Sequence, residues 1–295
     1  MLLALAAPLP AADLLYVSMS NDTIVSYDTT GNNGSTIAAS MATFASTNLS
    51  SPQGLAFDSS GNLYVANYGD STISKFDASG GYVSNITSNL SYPSGLAFDS
   101  SGNLYAANII STTISKFNSA GTFLSQINSN LNEPMDLAFD SSGKLYVANY
   151  GDSTISKFNS AGTFLSQINS NLDVPGGLAF DSSGNLYAAN WGNSTISKFN
   201  SAGTFLSQIN SNLNNPVGLA FDSSGNLYAA NYNDSTISKF NSAGTFLTSW
   251  STGSADPKYL AFKPVTVPEP STYALCAIAT GVLAAAARRR KAKKA

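Results

Sequence analysis

The sequence predicts an all-β fold, a six-bladed β-propeller of four-stranded antiparallel blades whose ring closes by pairing the N- and C-terminal strands. Three observations predict it. The tripeptide Leu-Ala-Phe ends at Phe57, Phe98, Phe139, Phe180, Phe221 and Phe262, each 41 residues after the last. Every full unit holds four short apolar phrases, the number that one blade requires. The Leu-Tyr phrase that follows recurs at Tyr64, Tyr105, Tyr146, Tyr187 and Tyr228, while a displaced copy, Tyr16, stands alone near the N-terminus.

Residues 52–92 give the elements in order. Gly54-Leu55-Ala56-Phe57 reads as the first strand and Asn62-Leu63-Tyr64-Val65-Ala66 as the second. Thr72-Ile73-Ser74-Lys75-Phe76 reads as the third and Gly81-Tyr82-Val83-Ser84-Asn85-Ile86 as the fourth. All are rich in aromatic or β-branched residues. Between them, Asp58-Ser59-Ser60-Gly61 and Asn118-Ser119-Ala120-Gly121 place Asp or Asn first and Gly fourth, the preference of a type I turn followed by a left-handed residue. Pro52, Pro93, Pro134, Pro175, Pro216 and Pro257 precede the first strands, where a missing N–H costs no ladder bond. The last unit stops after Phe262, so its strand can finish a blade only against Leu15-Tyr16-Val17. Counting residues 23–27, six third strands are present, hence six blades. The return from Gly31 to Pro52 spans 21 residues against 13 from Gly121 to Pro134, and the eight extra residues are expected to form a surface loop.

The phrase at residues 61–77, Gly-Asn-Leu-Tyr-Val-Ala-Asn-Tyr-Gly-Asp-Ser-Thr-Ile-Ser-Lys-Phe-Asp, resembles the NHL repeat, and the likeness covers residues 14–263. NHL repeats commonly carry Asp where this chain has Asn67, Asn108, Asn149, Asn190 and Asn231, and Arg where it has Thr72 and its equivalents. The resemblance implies a propeller; it names no ligand.

Charged residues make up 11% of the chain, there is no His, and Cys276 is the one Cys. Neither a disulfide framework nor a Cys/His metal site can be built. Six of the fourteen basic residues lie in the last eight positions, so residues 1–287 hold eight bases against seventeen acids, a net charge of −9. Such a surface repels nucleic acid.

At the C-terminus Pro268-Glu269-Pro270 is followed by an apolar run, residues 273–287, and then by Arg288, Arg289, Arg290, Lys291, Lys293 and Lys294. Fifteen helical residues span about 22 Å, short of the roughly 30 Å hydrocarbon core, so the segment crosses only with thinning or with its flanks included. The Arg cluster would then stay cytoplasmic and the propeller would face outward. The three parts in this order resemble the PEP-CTERM sorting signal. That resemblance implies a membrane-embedded exosortase partner, transient inner-membrane anchoring, and a final place at the cell surface or outside the cell. Residues 1–12 are apolar and end in Pro8-Leu9-Pro10-Ala11-Ala12, which reads as the last part of a secretory signal cleaved after Ala12. The basic leader of such a signal is missing, so the start is expected upstream. The domains read as a signal remnant (1–12), the propeller (13–263), a linker with the motif (264–272), and a hydrophobic helix with its basic tail (273–295).

Residues 121–131 recur unchanged at 162–172 and 203–213, whereas differences between repeats gather in two series. One is Tyr68, Ile109, Tyr150, Trp191 and Tyr232; the other is Gln53, Ser94, Met135, Gly176, Val217 and Lys258. Both belong to connections that leave a propeller on one face. Aromatic rings beside amides suit stacking and hydrogen bonding of a sugar or peptide, so Tyr68, Tyr150, Trp191 and Tyr232, with Asn67 and Asn231, are the candidate ligand residues. Glu133 and Asp136 form an acidic pair on the same face and are a weak candidate for Ca²⁺. The series Asp58, Asp99, Asp140, Asp181 and Asp222 reads as turn caps, and Lys75 with its equivalents recurs because its strand does. No phosphate loop or nucleophile–base pair can be assembled. The expectation is a monomeric, cofactor-free, non-catalytic interaction propeller for exopolysaccharide or a surface protein. The alternative is an extracytoplasmic enzyme like the lactonases and lyases that share this shape.

Overall fold

The computed structural model describes residues 13–29 and 42–264, and in it every blade is a four-stranded antiparallel sheet. Blade two runs Pro52–Phe57, Leu63–Asn67, Thr72–Phe76 and Tyr82–Ile86 from the axis outward. Blades three to six repeat this order from Pro93, Pro134, Pro175 and Pro216. Blade one is composite: Pro257–Phe262 forms its inner strand, followed by Leu14–Met19, Ile24–Asp28 and Ala42–Ala45. The closure read from the orphan Tyr16 is present, with Leu15 opposite Phe262, Tyr16 opposite Ala261 and Val17 opposite Leu260.

The third-strand bounds agree with the sequence reading in blades two to six and shift by one residue in blade one, to Ile24–Asp28, while the inner strands begin on the prolines themselves rather than after them. Proline is tolerated there because it starts the strand. Each inner strand also carries a bulge just after its proline. In blade two Pro52 faces Asn67 and the next pair is Leu55 with Val65, so Gln53 and Gly54 oppose the single residue Ala66. Ala42–Ala45 lies inside the long return read as loop, while residues 30–41 are outside the described residues, as are 1–12 and 265–295 with the signal, linker and hydrophobic-helix expectations.

Side chains explain why neighbouring blades stay together. The second-strand Tyr of each blade packs edge-on against the Phe that ends the next inner strand: Tyr64–Phe98 at 5.1 Å, Tyr105–Phe139 at 4.9 Å, Tyr146–Phe180 at 5.1 Å and Tyr187–Phe221 at 5.0 Å. Tyr228–Phe262 at 5.1 Å and Tyr16–Phe57 at 4.9 Å carry the same joint across the closure. Each such pair contributes about 0.5–1.5 kcal/mol beyond its buried area. Around them Ala56, Tyr64, Ala66 and Ile73 of blade two share one core with Leu96, Leu104, Ala106 and Phe117 of blade three.

The recurring Lys has a role the sequence reading missed. Lys75 lies 4.9 Å from the centre of the Tyr64 ring and 3.6 Å from Asp58 Oδ2, and Lys116, Lys198 and Lys239 repeat both contacts. Asp58 caps its turn as expected, accepting N–H bonds from Ser60 and Asn62 at 2.9 Å each, while Asn62 Nδ2 donates to its other oxygen. Blade four differs: Lys144 stands where the others have Asn, and Lys157 donates to the Ser201 carbonyl at 3.1 Å while keeping its place over Tyr146.

Candidate functional site

The two variable series meet. Tyr68, Ile109, Tyr150, Trp191 and Tyr232, together with Gln53, Ser94, Met135, Gly176, Val217 and Lys258, line a single pocket of about 410 Å³, joined by Glu133. The second series contributes the residue after each inner-strand proline, which the bulge takes out of the ladder. The first contributes the residue that follows each second strand.

The backbone holds this second group in place. The N–H of Tyr68 donates to the Ser51 carbonyl at 3.3 Å, and those of Tyr150 and Trp191 donate to Glu133 and Val174 at 3.1 Å each. The accepting residues all precede the prolines and all sit in the left-handed region: Ser51 at φ 46°, Tyr92 at 52°, Glu133 at 49°, Val174 at 52° and Asn215 at 48°. Proline disfavours the right-handed helical conformation of the residue before it. For β-branched Val174 the left-handed alternative is costly, on the order of 1–3 kcal/mol. Backbone strain thus borders the pocket in five blades.

Trp191 and Tyr232 stand 5.3 Å apart and tilted by 50°, and Tyr150 is 40% exposed, so aromatic surface is open to a ligand. Tyr68 is propped edge-on by Tyr92 at 5.0 Å. The charged members of the lining are Glu133 and Lys258. Burial lowers the Lys258 pKa from its ordinary value, and the nearby Asp22 and Asp256 carboxylates oppose that shift.

Asn67 and Asn231 do not belong to the pocket wall, a correction to the sequence reading. Both are buried and fully used inside their blades. Asn67 Oδ1 accepts from Ser50 N–H at 3.2 Å, and its amide donates to Thr72 Oγ1 at 2.9 Å and Ser74 Oγ at 2.8 Å. Asn231 makes the same set with Asn214, Thr236 and Ser238. The two departures from the NHL pattern therefore face each other, an amide and a hydroxyl occupying the positions of Asp and Arg.

Glu133 and Asp136 are also separated. Glu133 lines the open pocket, whereas Asp136 lines a separate cavity of about 90 Å³ among Gly54, Leu96, Leu178 and Tyr259. Among the described residues no group of three or more His, Cys, Asp or Glu side chains could hold a metal. Asp136 and Tyr259 are the two exceptions in the series Gly54, Gly95, Asp136, Gly177, Gly218, Tyr259, the third residue of each inner strand. At the four glycines the strands approach closely: a Cβ on Gly177 would run into the Val217 carbonyl oxygen. Tyr259, on the composite blade, reaches Ser94 Oγ at 2.9 Å and donates to the Met135 carbonyl at 3.1 Å. Asp136 Oδ2 accepts the Leu178 N–H at 2.8 Å, and burial raises its pKa to about 7. Aligning the repeats one position past the variable series would have exposed this pair.

Two families match the chain: the NHL repeat at residues 49–76 and 213–240, and the PEP-CTERM protein-sorting motif at residues 266–291. No curated protein matches it in sequence. Among solved structures, a chain of the nidogen/laminin complex superposes with a TM-score of 0.73 at 19% identity, over 87% of this chain and 100% of that one. A catalytically inactive His-to-Ala virginiamycin B lyase from Staphylococcus aureus, with quinupristin, gives 0.63 at 11% identity over 86% and 94%. A gluconolactonase from Xanthomonas campestris gives 0.62 at 16% over 86% and 90%. These likenesses concern the fold. Among the described residues no helix is long and apolar enough to cross a membrane.

Proposed function

We propose that this six-bladed propeller, which carries NHL repeats and a PEP-CTERM sorting motif, is an exported, non-catalytic interaction protein that binds extracellular polysaccharide in its axial pocket. The observation that carries this reading is the convergence of both variable series on one pocket, while the third strand stays Thr-Ile-Ser-Lys-Phe in blades two to six and the outer turn stays Asn-Ser-Ala-Gly in blades three to six. Random drift would scatter differences over every exposed turn. The exposed Tyr150 ring and the partly exposed Tyr68, Trp191 and Tyr232 rings suit the apolar faces of sugar rings, and a cavity of this volume falls in the range of small-ligand sites.

The sorting motif marks the chain for export and processing by an exosortase-type system. In our reading the exosortase acts near Pro268-Glu269-Pro270 while Arg288, Arg289 and Arg290 hold the tail at the cytoplasmic side, leaving the propeller at the surface or in the matrix. The neighbouring lyase and lactonase folds raise a catalytic alternative. Against it stand the absence of His from the whole sequence and a pocket lining whose only charged side chains among the described residues are one carboxylate, Glu133, and one ammonium, Lys258.

Co-sedimentation of the full chain with the producing cell's extracellular polysaccharide tests the proposal. Wild-type protein should pellet with the polymer and Trp191→Ala should remain in solution. Equal pelleting of both would remove the pocket from the binding reaction.

A further inference from the structure

We infer that the pocket selects an acidic sugar, a hexuronic acid residue, whose carboxylate is received by Lys258. This rests on the polysaccharide reading and narrows it. Lys258 makes no hydrogen bond or ion pair with another described residue, in contrast to the lysines that pair with Asp58, Asp99, Asp181 and Asp222. Asp22 and Asp256, whose charges reach it, stand beyond ion-pair distance, and each accepts a neutral donor: Asp22 Oδ1 the Ser51 N–H and Asp256 Oδ1 the Ser235 hydroxyl, both at 2.7 Å. An ammonium group is thus half-buried in a mostly apolar lining, under the field of two carboxylates but with no direct ion-pair partner among the described residues, and an anionic ligand group in the pocket would supply one.

The placement of the other residues gives the sugar its orientation. Lys258 enters from blade one, flanked around the ring by Val217 of blade six and Gln53 of blade two. Trp191 and Tyr232 of blades five and six offer rings for the sugar's C–H face, and Gln53 offers an amide to hydroxyls beside the carboxylate. Glu133 enters with blade four, across the ring, where it accepts hydroxyl protons rather than meeting the carboxylate. One acid group on a ring stacked against aromatic side chains satisfies all of these positions; a neutral hexose leaves the ammonium unmatched.

Calorimetric titration of the full chain with a glucuronic-acid-terminated oligosaccharide, and with the same oligosaccharide after reduction of its carboxyl to the alcohol, tests the inference. The acid form should bind at least roughly tenfold more tightly, because a charge-assisted bond of this kind is worth that factor or more, and added salt should narrow the gap. Lys258→Met and Lys258→Gln should bring the acid form down to the affinity of the reduced one, with melting temperatures near wild type confirming an intact fold. Equal affinity of wild-type protein for the two forms overturns the inference and leaves the polysaccharide reading standing. Binding of neither form, together with failure to sediment with polymer, overturns both.

Discussion

Asp136 ties the protein's stability to pH between the ordinary carboxylate range and neutrality. Its carboxyl is buried beside the axis, and burial raises its pKa from the ordinary 3.8 to about 7. An acid whose pKa is raised by folding keeps its proton in the folded state where the unfolded chain has lost it. The stabilisation is therefore complete below about pH 4 and is lost as pH rises to about 7, a change on the order of 4 kcal/mol. Asp99, Asp140 and Asp181 act oppositely but at lower pH: burial pushes their pKa up, yet hydrogen bonds from their turns and nearby lysines together outweigh it and hold them below the usual carboxylate range. Thermal melts should accordingly show the melting temperature falling between pH 4 and pH 7 and levelling above. Asp136→Asn should flatten that interval; an unchanged slope in the variant would assign the dependence elsewhere.

Sequence reasoning failed at the residue scale for a specific reason. Asn67 and Asn231 flank variable aromatic residues, and sequence position alone groups them with the ligand-facing side, but a strand's last residue points opposite to the one that follows it, here into the blade. Sequence alone assigns Lys75 and its equivalents no partner because the ring beneath Lys75, Tyr64, lies eleven positions away on a neighbouring strand.

At the scale of the blade, the joint between second-strand Tyr and next-blade Phe carries the packing. Tyr146 is almost fully buried, with Phe180 at 5.1 Å and Lys157 at 4.8 Å. Tyr146→Ala should cost about 3–5 kcal/mol in denaturant unfolding, the range for emptying a buried aromatic site. Tyr146→Phe should cost about 1 kcal/mol, since the ring stays and the hydroxyl's bond to the Ser201 carbonyl is long at 3.4 Å, leaving its interaction with Asp140 as the main loss. A large loss in the Phe variant would shift the weight of the joint from the ring to the hydroxyl. Strand identity and order were legible because aromatic and β-branched phrases recur at one spacing. The bulges were not, because Gln53-Gly54 and Met135-Asp136 share no residue type; only the ladder displays the two-against-one pairing.

For the whole molecule, closure by Pro257–Phe262 against Leu14–Met19 is the feature most directly written in the sequence, through the displaced Tyr16. Removing residues 257–263 also removes Phe262 from its joint with Tyr228 and Tyr259 from the axis. The truncated chain should lose its cooperative thermal transition; a transition near that of the intact protein would refute the importance of closure. Removing residues 288–294 should leave the melting temperature unchanged and alter maturation of the tail, as followed by the size of the secreted product.

The central claim is that the pocket shared by all six blades is where polysaccharide binds, and Trp191 reports on it directly. The sequence contains two tryptophans, and Trp250 packs between Tyr27 and Tyr228, away from the pocket. In a Trp250→Phe protein the emission of Trp191 should therefore follow pocket occupancy alone. Titration with the extracellular polysaccharide should produce a saturable blue shift whose midpoint matches the affinity found by sedimentation. Binding by sedimentation with no change in Trp191 emission would place the polysaccharide elsewhere on the propeller and contradict the account.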